Sequence, residues 1–124
     1  MNAKEKKTVV IGASPNPQRF SHAAVKKLKK YRHPVEAIGL RNSFINDVEI
    51  RTDSPVIEDV HTVTMYIGPQ NQRGYYDYIL KVLRPRRIIF NPGTENEELK
   101  ALAENSGIEV VESCTLNMLG FGTF

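Results

Sequence analysis

The sequence has little cysteine and no long apolar run. Its one cysteine is Cys114, which excludes an internal disulfide framework and a cysteine-rich zinc site and fits a reducing, cytoplasmic compartment. Residues 1–7 are basic, but the apolar run after them covers only residues 9–11 and ends at Gly12. That run is too short for a secretory signal or a membrane span.

The chain also lacks a strong excess of either charge. Lys plus Arg number 17 and Asp plus Glu 14, which gives a net charge of +3. This mild excess suits an anionic ligand and is weak evidence for nucleic acid. With 124 residues, 40% hydrophobic and 25% charged, the composition is typical of one globular domain. We expect a single domain over residues 1–124, with one core and one site.

Short β-branched runs alternate with amphipathic stretches along the chain. Helical spacing of apolar residues covers 21–32 and 71–84, and segment 44–50 is predicted as a small excursion rather than a crossover helix. Strands are predicted at residues 8–11, 35–38, 61–67, 87–90 and 110–111. The order predicts an α/β fold, a single Rossmann-like three-layer domain with a five-stranded, mostly parallel sheet. Segment 113–124 is left without a predicted form.

A further helix is predicted between residues 94 and 107. Thr94 and Glu97 have the spacing of a capping box, in which each side chain satisfies a free amide at the start of the helix. The same capping role explains the acidic residues nearby without an acid pair for catalysis. Gly107 supplies the helix stop.

Three predicted strand ends carry a glycine. They are Gly12, Gly68 and Gly93. In open parallel sheets, ligands bind beyond the carboxyl ends of the strands, where the strand order reverses. The sequence therefore places the binding site at this edge.

The first strand-to-helix turn, residues 12–19, has the residues of a phosphate-binding loop. Gly12 allows a positive φ or a close backbone approach, and Ser14 and the amides that open the next helix can donate to an oxyanion. Arg19 adds a planar fork of donors that matches phosphate, and Ser21 can donate or cap the helix. The turn predicts a ligand with phosphate groups.

The dinucleotide fingerprint G-x-G-x-x-G is not met, because its three positions hold Gly12, Ser14 and Pro17. An NAD site also needs a carboxylate after the second strand, and the turn there offers Arg41 instead. An arginine at this turn suits a phosphate on the adenosine ribose. An arginine that is only solvated at the surface is an equally good interpretation of Arg41. The pattern favours coenzyme A or NADP over NAD.

The sequence resembles the small stand-alone CoA-binding proteins, which are similar to the nucleotide-binding domain of the succinyl-CoA ligase α subunit. The resemblance covers almost the whole chain and is carried by VIGASPNP at residues 10–17 with Arg19, by NPGTENEE at 91–98 and by SCT at 113–115. The first of these motifs is the most specific.

The resemblance implies a Rossmann-like domain that binds CoA or acyl-CoA. It places the diphosphate on the 12–19 loop and the pantetheine arm near the Gly93 loop. The implied contacts are Gly12, Ala13, Ser14, Asn16, Arg19, Ser21, Arg41, Gly68, Gly93 and Asn96. The family usually has Asn-Pro after the second strand and Arg-Pro after the third, where this chain has Arg41-Asn42 and Gly68-Pro69. The chain therefore departs from the family pattern at the two turns that follow its second and third predicted strands.

The sequence predicts no catalytic residues of its own. The ligase histidine belongs to a separate domain, and His22, His33 and His61 have no catalytic partner or metal-binding spacing. Cys114 is predicted as a small buried hydrophobe, with a position facing the ligand thiol as the alternative. Two other functions remain open, namely an NADP-binding reductase or sensor and a non-binding regulatory or scaffold partner of an acyl-CoA ligase. The resemblance allows a homo-oligomer, and no nucleic acid or membrane partner is expected.

Overall fold

A computed structural model describes residues 5–124, so the first four residues of the basic N-terminal stretch lie outside the described range. The strands are β1 (Thr8–Ala13), β2 (Val35–Gly39), β3 (Ser43–Ile45), β4 (Val48–Arg51), β5 (Thr62–Met65), β6 (Arg87–Phe90) and β7 (Glu109–Glu112). They form one sheet in the order β3-β4-β2-β1-β5-β6-β7. Only β3 and β4 pair antiparallel, and the other neighbours are parallel.

Three α-helices and one irregular helical segment cover the sheet. The helices are α1 (Phe20–Lys30), α2 (Glu97–Asn105) and α3 (Thr115–Phe121). Between β5 and β6 the chain forms the 3₁₀ turns Pro69–Asn71 and Arg73–Tyr75, followed by a π-helical turn at Tyr78–Leu83. We call this stretch the 69–83 segment. Among the helices of residues 5–124, none has the length and apolar character that a bilayer crossing requires.

The core has two halves, one on each face of the sheet. Residues of alternate parity along β1 point to opposite faces, so Val9 and Ile11 pack into one cluster and Val10 into the other. The first cluster lies under α2 and the 69–83 segment, and the second lies under α1 and α3. Because both faces are covered, β1, β5 and β6 are buried along almost their whole length, as their β-branched runs predict.

The predicted mostly parallel α/β sheet is confirmed, and the predicted count of five strands is wrong because the sheet has seven. Segment 44–50 supplies both additional strands. Val48 and Ile50 are buried while Glu49 is exposed, which is the alternation of a strand with one covered face. Asn46, at a left-handed φ of 53°, turns β3 into β4, and β4 then pairs parallel with β2.

Two helical segments also differ from the sequence prediction. The helix predicted at residues 71–84 is present only as the short 3₁₀ and π turns of the 69–83 segment. The 69–83 segment ends at Arg84, which has a left-handed φ of 46°. The Arg84 amide donates to the Ile79 carbonyl at 2.9 Å. The segment after β7, for which no form is predicted from the sequence, contains α3.

The strand order reverses beside β1. From β1 the chain passes to β2 on one side and later returns to β5 on the other. A crevice therefore opens at the carboxyl edge between β1 and β5, where the crossovers leave in opposite directions. This topology is typical of Rossmann-like folds, and it puts the 12–19 loop at the crevice.

Candidate functional site

The exit of β1 is closely packed against the exit of β5. Gly12 has a φ of +96°, and a Cβ atom added to it would lie 2.7 Å from the Ile67 side chain and 2.9 Å from the Tyr66 carbonyl. Only glycine fits this position, because other residues would meet both backbone strain and a clash. The structure therefore shows a positive φ at Gly12 and close packing of the β1 exit against the β5 exit.

The N-terminus of α1 has unsatisfied amides. Its N-cap residue is Arg19, which makes no side-chain cap, and its first turn contains no acidic residue. Within residues 5–124 the amides of Phe20 and Ser21 have no hydrogen-bond acceptor. The helix dipole and these free N–H groups give this end a partial positive charge that nothing in the described chain neutralises.

Internal hydrogen bonds hold the 12–19 loop in shape. The Ser14 Oγ accepts from the Asn16 amide at 3.1 Å, and the Asn16 Oδ1 accepts from the Gln18 amide at 2.9 Å. Each side chain is used here as an acceptor, so the Ser14 hydroxyl proton and the Asn16 side-chain NH₂ remain available as donors. Arg19 is exposed. The loop therefore offers donors to the crevice without having to rearrange.

Ser21 is not the cap that the sequence suggested. It is the second residue of α1 and only 4% exposed. A side chain inside the first turn cannot take the N-cap position, which Arg19 holds. The Ser21 amide has no hydrogen-bond acceptor within the described residues.

On the other side of β1 lies the exit of β2. Ala13 pairs with Gly39, and a Cβ atom added at Gly39 would collide with the Ala13 carbonyl oxygen. Arg41 follows two residues later and is exposed, and within the described residues it forms no ion pair. Its charge is therefore free to meet an anion beside the loop.

Gly68 and Gly93 lie at the exits of β5 and β6. Gly68 precedes the first 3₁₀ turn and accepts from the Asn71 amide at 3.0 Å. Gly93 has a φ of +90° with open space around the position of a Cβ atom. Its amide donates to the Glu95 carboxylate at 2.9 Å, so an anionic oxygen already lies at this backbone donor.

Asn96 is at this edge, but its polar atoms are used inside the protein. Its Oδ1 accepts from the Leu99 amide at 3.1 Å, and its Nδ2 donates to Gln72 and to Tyr76, both at 2.9 Å. A ligand contact by Asn96 would therefore require exchange of one of these bonds.

Asn96 is also the N-cap of α2, so the predicted capping box at Thr94 is wrong. The Thr94 hydroxyl donates instead to the Asn91 carbonyl at 2.8 Å and is buried. The helix starts at Glu97 with two acidic residues in its first turn. Unlike α1, α2 is thus capped and charge-compensated at its N-terminus.

A family model described as a CoA binding domain matches residues 6–120 of this chain. The chain belongs to the CoA-binding domain family. This confirms the resemblance to stand-alone CoA-binding proteins that residues 10–17 carry most strongly. No curated protein matches the chain.

Solved structures share the fold of this chain. An uncharacterised protein with a crystal structure is 48% identical, with 99% of this chain and 100% of that chain covered and a TM-score of 0.94. A hypothetical protein from Pyrococcus horikoshii OT3 is 22% identical, with a TM-score of 0.82 over 92% of this chain and 81% of that one. A Thermus thermophilus protein is 19% identical, with a TM-score of 0.84 over 98% and 92%. The last two comparisons show a shared fold alone.

Sequence analysis missed the buried side chain that joins the β5 and β6 exits in this family member. Gln72 is fully buried, and its Nε2 donates to the carbonyls of Ile67 at 2.9 Å and Thr94 at 2.7 Å. Its Oε1 accepts from Asn96. A glutamine in a polar stretch carries no sequence signal for this role, because its partners are distant in the chain.

A second buried amide closes the sheet edge behind the β5 and β6 exits. The Asn91 Nδ2 donates to the Thr64 hydroxyl and to the Met65 carbonyl, both at 2.7 Å, and its Oδ1 accepts from the Thr115 amide at 2.8 Å. The start of α3 is thereby tied to the middle of the sheet. In the sequence, Asn91 is only the first residue of the NPGTENEE motif. In the structure it holds the start of α3 against the sheet.

Tyr66 and Cys114 lie together near this network. Burial raises the pKa of the Tyr66 hydroxyl, and the neighbouring Cys114 raises it further. Within residues 5–124 that hydroxyl has no hydrogen-bond partner. Cys114 is half-buried and is the N-cap residue of α3, so the predicted burial of this cysteine is only partial.

A polar cavity of about 500 Å³ lies beyond the β5 exit. Its lining residues are Pro69, Gln70, Arg73, Tyr76, Asn96 and Glu98. Glu98 accepts from Tyr76 at 2.9 Å and from Arg73 at 3.0 Å, which fixes one wall. Among residues 5–124 there is no group of three or more His, Cys, Asp or Glu side chains that could hold a metal ion.

Proposed function

We propose that the chain binds CoA or an acyl-CoA along the carboxyl edge of its sheet and contributes no catalytic residues of its own. The observation that carries the proposal is the α1 N-terminus, which is uncapped, free of acidic residues and adjacent to Gly12 at the strand-order reversal. An anion bound there would satisfy the free amides and the helix dipole together.

The diphosphate would lie on the 12–19 loop. The donors available there are the amides of Phe20 and Ser21, the Ser14 hydroxyl and the Asn16 side-chain NH₂. Gly12 and Ala13 would form the floor, which is held in place by the close packing of Gly12 against Tyr66 and Ile67. Arg19 is placed to add bidentate contacts from the rim.

The order of the strand exits supports a CoA-type ligand. Along the edge, Arg41 follows β2, the 12–19 loop follows β1, Gly68 follows β5 and Gly93 follows β6. From β2 to β6 this covers three inter-strand spacings, about 14 Å. The same order runs along CoA, from the ribose phosphate through the diphosphate to the pantetheine arm.

Arg41 would recognise the phosphate on the ribose. It is exposed and, among the described residues, has no ion-pair partner to displace. A guanidinium binds phosphate with two parallel hydrogen bonds, whereas the ribose 2′-hydroxyl of NAD selects a carboxylate. This residue would therefore separate CoA from dephospho-CoA.

The pantetheine arm would pass over Gly68 towards Gly93. The cavity of about 500 Å³ beyond the β5 exit can take the end of the arm. Its lining includes Arg73, Tyr76 and Glu98, so it is polar and suits the amides of pantetheine better than a long apolar acyl chain. Asn96 would act by fixing the Gly93 loop through its bond to Gln72.

Calorimetric titration with CoA, dephospho-CoA and NADPH tests this function. We expect saturable CoA binding below about 1 mM, weaker binding of dephospho-CoA, and weaker binding of NADPH, because its nicotinamide half does not match the pantetheine path. Absence of CoA binding by the folded chain would contradict the proposal. Tighter binding of NADPH than of CoA would favour the reductase or sensor alternative.

A further inference from the structure

A second cluster of titratable side chains lies at the opposite, amino edge of the sheet. Lys6 precedes β1, His33 precedes β2, and Arg87 begins β6. The three meet around Phe124, which reaches them from beyond α3. The candidate ligand site uses none of them.

All three titratable side chains contact Phe124, which also packs against the second core cluster. Its ring lies 4.9 Å from the His33 ring between centroids, and the Arg87 guanidinium carbon is 4.6 Å from the centre of the same ring. The Lys6 ammonium donates to the Phe124 main-chain oxygen. Residues 122–124, which we call the strap, therefore cover a side of the sheet edge that faces away from the 12–19 loop.

The strap covers a buried cation. Arg87 is only 6% exposed, and its Nε donates to the Thr62 hydroxyl at 3.0 Å. Within residues 5–124 its Nη2 has no hydrogen-bond partner. A buried guanidinium with a free N–H is costly, so solvation of Arg87 would favour an open strap. The Phe124 contacts and the bond from the Thr123 amide to the Met118 carbonyl at 2.8 Å oppose it.

His33 must be neutral for the strap to close in this form. The Lys6 main-chain amide donates to the His33 Nδ1 at 3.0 Å, so Nδ1 has a lone pair and the proton is on Nε2. Protonation would put an N–H at Nδ1, opposite the Lys6 N–H, and would add a positive charge beside Lys6 and Arg87. Both effects oppose closure.

The surrounding charges act in the same direction. Burial lowers the pKa of His33, Lys6 and Arg87 lower it further, and Glu5 opposes them. His61, on the segment before β5, also has a lowered pKa, first from burial and then from Arg87, Lys6 and Arg86, against Glu109. These groups hold both imidazoles in the neutral form while the edge is covered.

We propose that residues 122–124 form a pH-sensitive strap: when His33 is protonated, the Lys6–His33 hydrogen bond is lost, Phe124 leaves Arg87, and this cationic edge becomes accessible. The strap is closed when the pH is above 6.5, which is the ordinary pKa of a histidine. It opens as the pH falls below that value, because the open state binds the proton more tightly.

Nuclear magnetic resonance of the full chain between about pH 8 and about pH 5 tests the proposal. We expect Overhauser contacts between the Phe124 ring and the Arg87 side chain at the higher pH and their loss as His33 titrates. His33→Asn can present an acceptor but cannot be protonated, so its contacts should persist at the lower pH. His22→Asn, in the first turn of α1, is the matched control and should behave like the unmodified chain.

Two results would overturn the strap. One is persistence of the Phe124–Arg87 contacts after His33 is protonated, and the other is their loss in His33→Asn at the same pH. A second variant, Phe124→Ala, tests near neutral pH whether the Phe124 ring affects the titration of His33. Removal of the ring should raise the titration midpoint of His33 towards 6.5, and an unchanged midpoint would also contradict the proposal.

Discussion

The Tyr66 carbonyl lies against Gly12, so that a Cβ atom added to Gly12 would be 2.9 Å from that oxygen. This contact joins the exits of β1 and β5, the two strands on either side of the reversal in strand order. The first residue of the proposed phosphate-binding loop is therefore also a packing residue. The packing of the two strand exits depends on the absence of a side chain there.

Replacement of this glycine should destabilise the fold. Gly12→Ala adds a methyl group to a position with a φ of +96° and with Ile67 2.7 Å away, which we expect to cost about 1–3 kcal/mol. Urea denaturation measures the change. Gly74→Ala is the control, because no atom lies within 4 Å of the added methyl group. Equal stability of the two variants would contradict the close packing at β1 and β5.

Arg19 should contribute to binding of any ligand with a diphosphate. Loss of its charge-assisted hydrogen bonds in Arg19→Ala should weaken CoA by about 10- to 100-fold in Kd. Calorimetry measures this, with Arg86→Ala as the control, because Arg86 is exposed at the opposite edge. If both variants lost affinity equally, the effect would come from net charge and not from the loop.

Arg41 should determine the preference between CoA and dephospho-CoA. Arg41→Ala is expected to lower the affinity for CoA to that for dephospho-CoA, while the affinity for dephospho-CoA stays unchanged. The pair of ligands provides the internal control in one calorimetric series. Equal losses for both ligands would remove the assignment of the ribose phosphate to Arg41.

Gln72 should contribute more to the free energy of unfolding than a polar side chain usually does. Gln72→Met keeps the volume but leaves the Ile67 and Thr94 carbonyls and the Asn96 amide without their partner. We expect a loss of about 2–4 kcal/mol in urea denaturation. The exposed neighbour Gln70 provides the matched control, and Gln70→Met should be close to neutral. A neutral Gln72→Met would show that water replaces these bonds without cost.

Stability should decrease in mild acid. Burial and the cations Arg87, Lys6 and Arg86 lower the pKa of His61 in the folded chain. The unfolded chain therefore takes up the proton first as the pH falls below 6.5, so stability is complete above that value and is lost below it. Urea midpoints at about pH 7.5 and about pH 5.5 measure the loss. His61→Gln should reduce the pH dependence, whereas His22→Gln should leave it unchanged.

The parallel core was predictable because its signals are local. β1 and β6 are short β-branched or apolar runs that are buried along almost their whole length, and such runs are typical of strands covered on both faces. The hairpin of β3 and β4 was missed because each strand is three or four residues long. At that length, the alternation at residues 48–50 does not distinguish a strand from a loop.

The details of the site depended on contacts between distant residues. Thr94 and Asn96 are both preferred cap residues by type, and in the structure the Thr94 hydroxyl donates to Asn91 while Asn96 caps the helix. The role of Gln72 likewise depends on carbonyls five and 22 residues away. The loop at residues 12–19, by contrast, is formed by consecutive residues, and the sequence was enough to predict its position.

The most direct test of the central claim is titration of the ¹⁵N-labelled chain with CoA, followed by the amide signals. We predict saturable shifts below about 1 mM CoA that are largest for Gly12, Phe20 and Ser21, smaller at Arg41 and Gly93, and absent at Lys6 and Thr62 on the opposite edge. Saturable shifts confined to the opposite edge, or no saturable shifts while the spectrum remains that of a folded protein, would contradict CoA binding at this site.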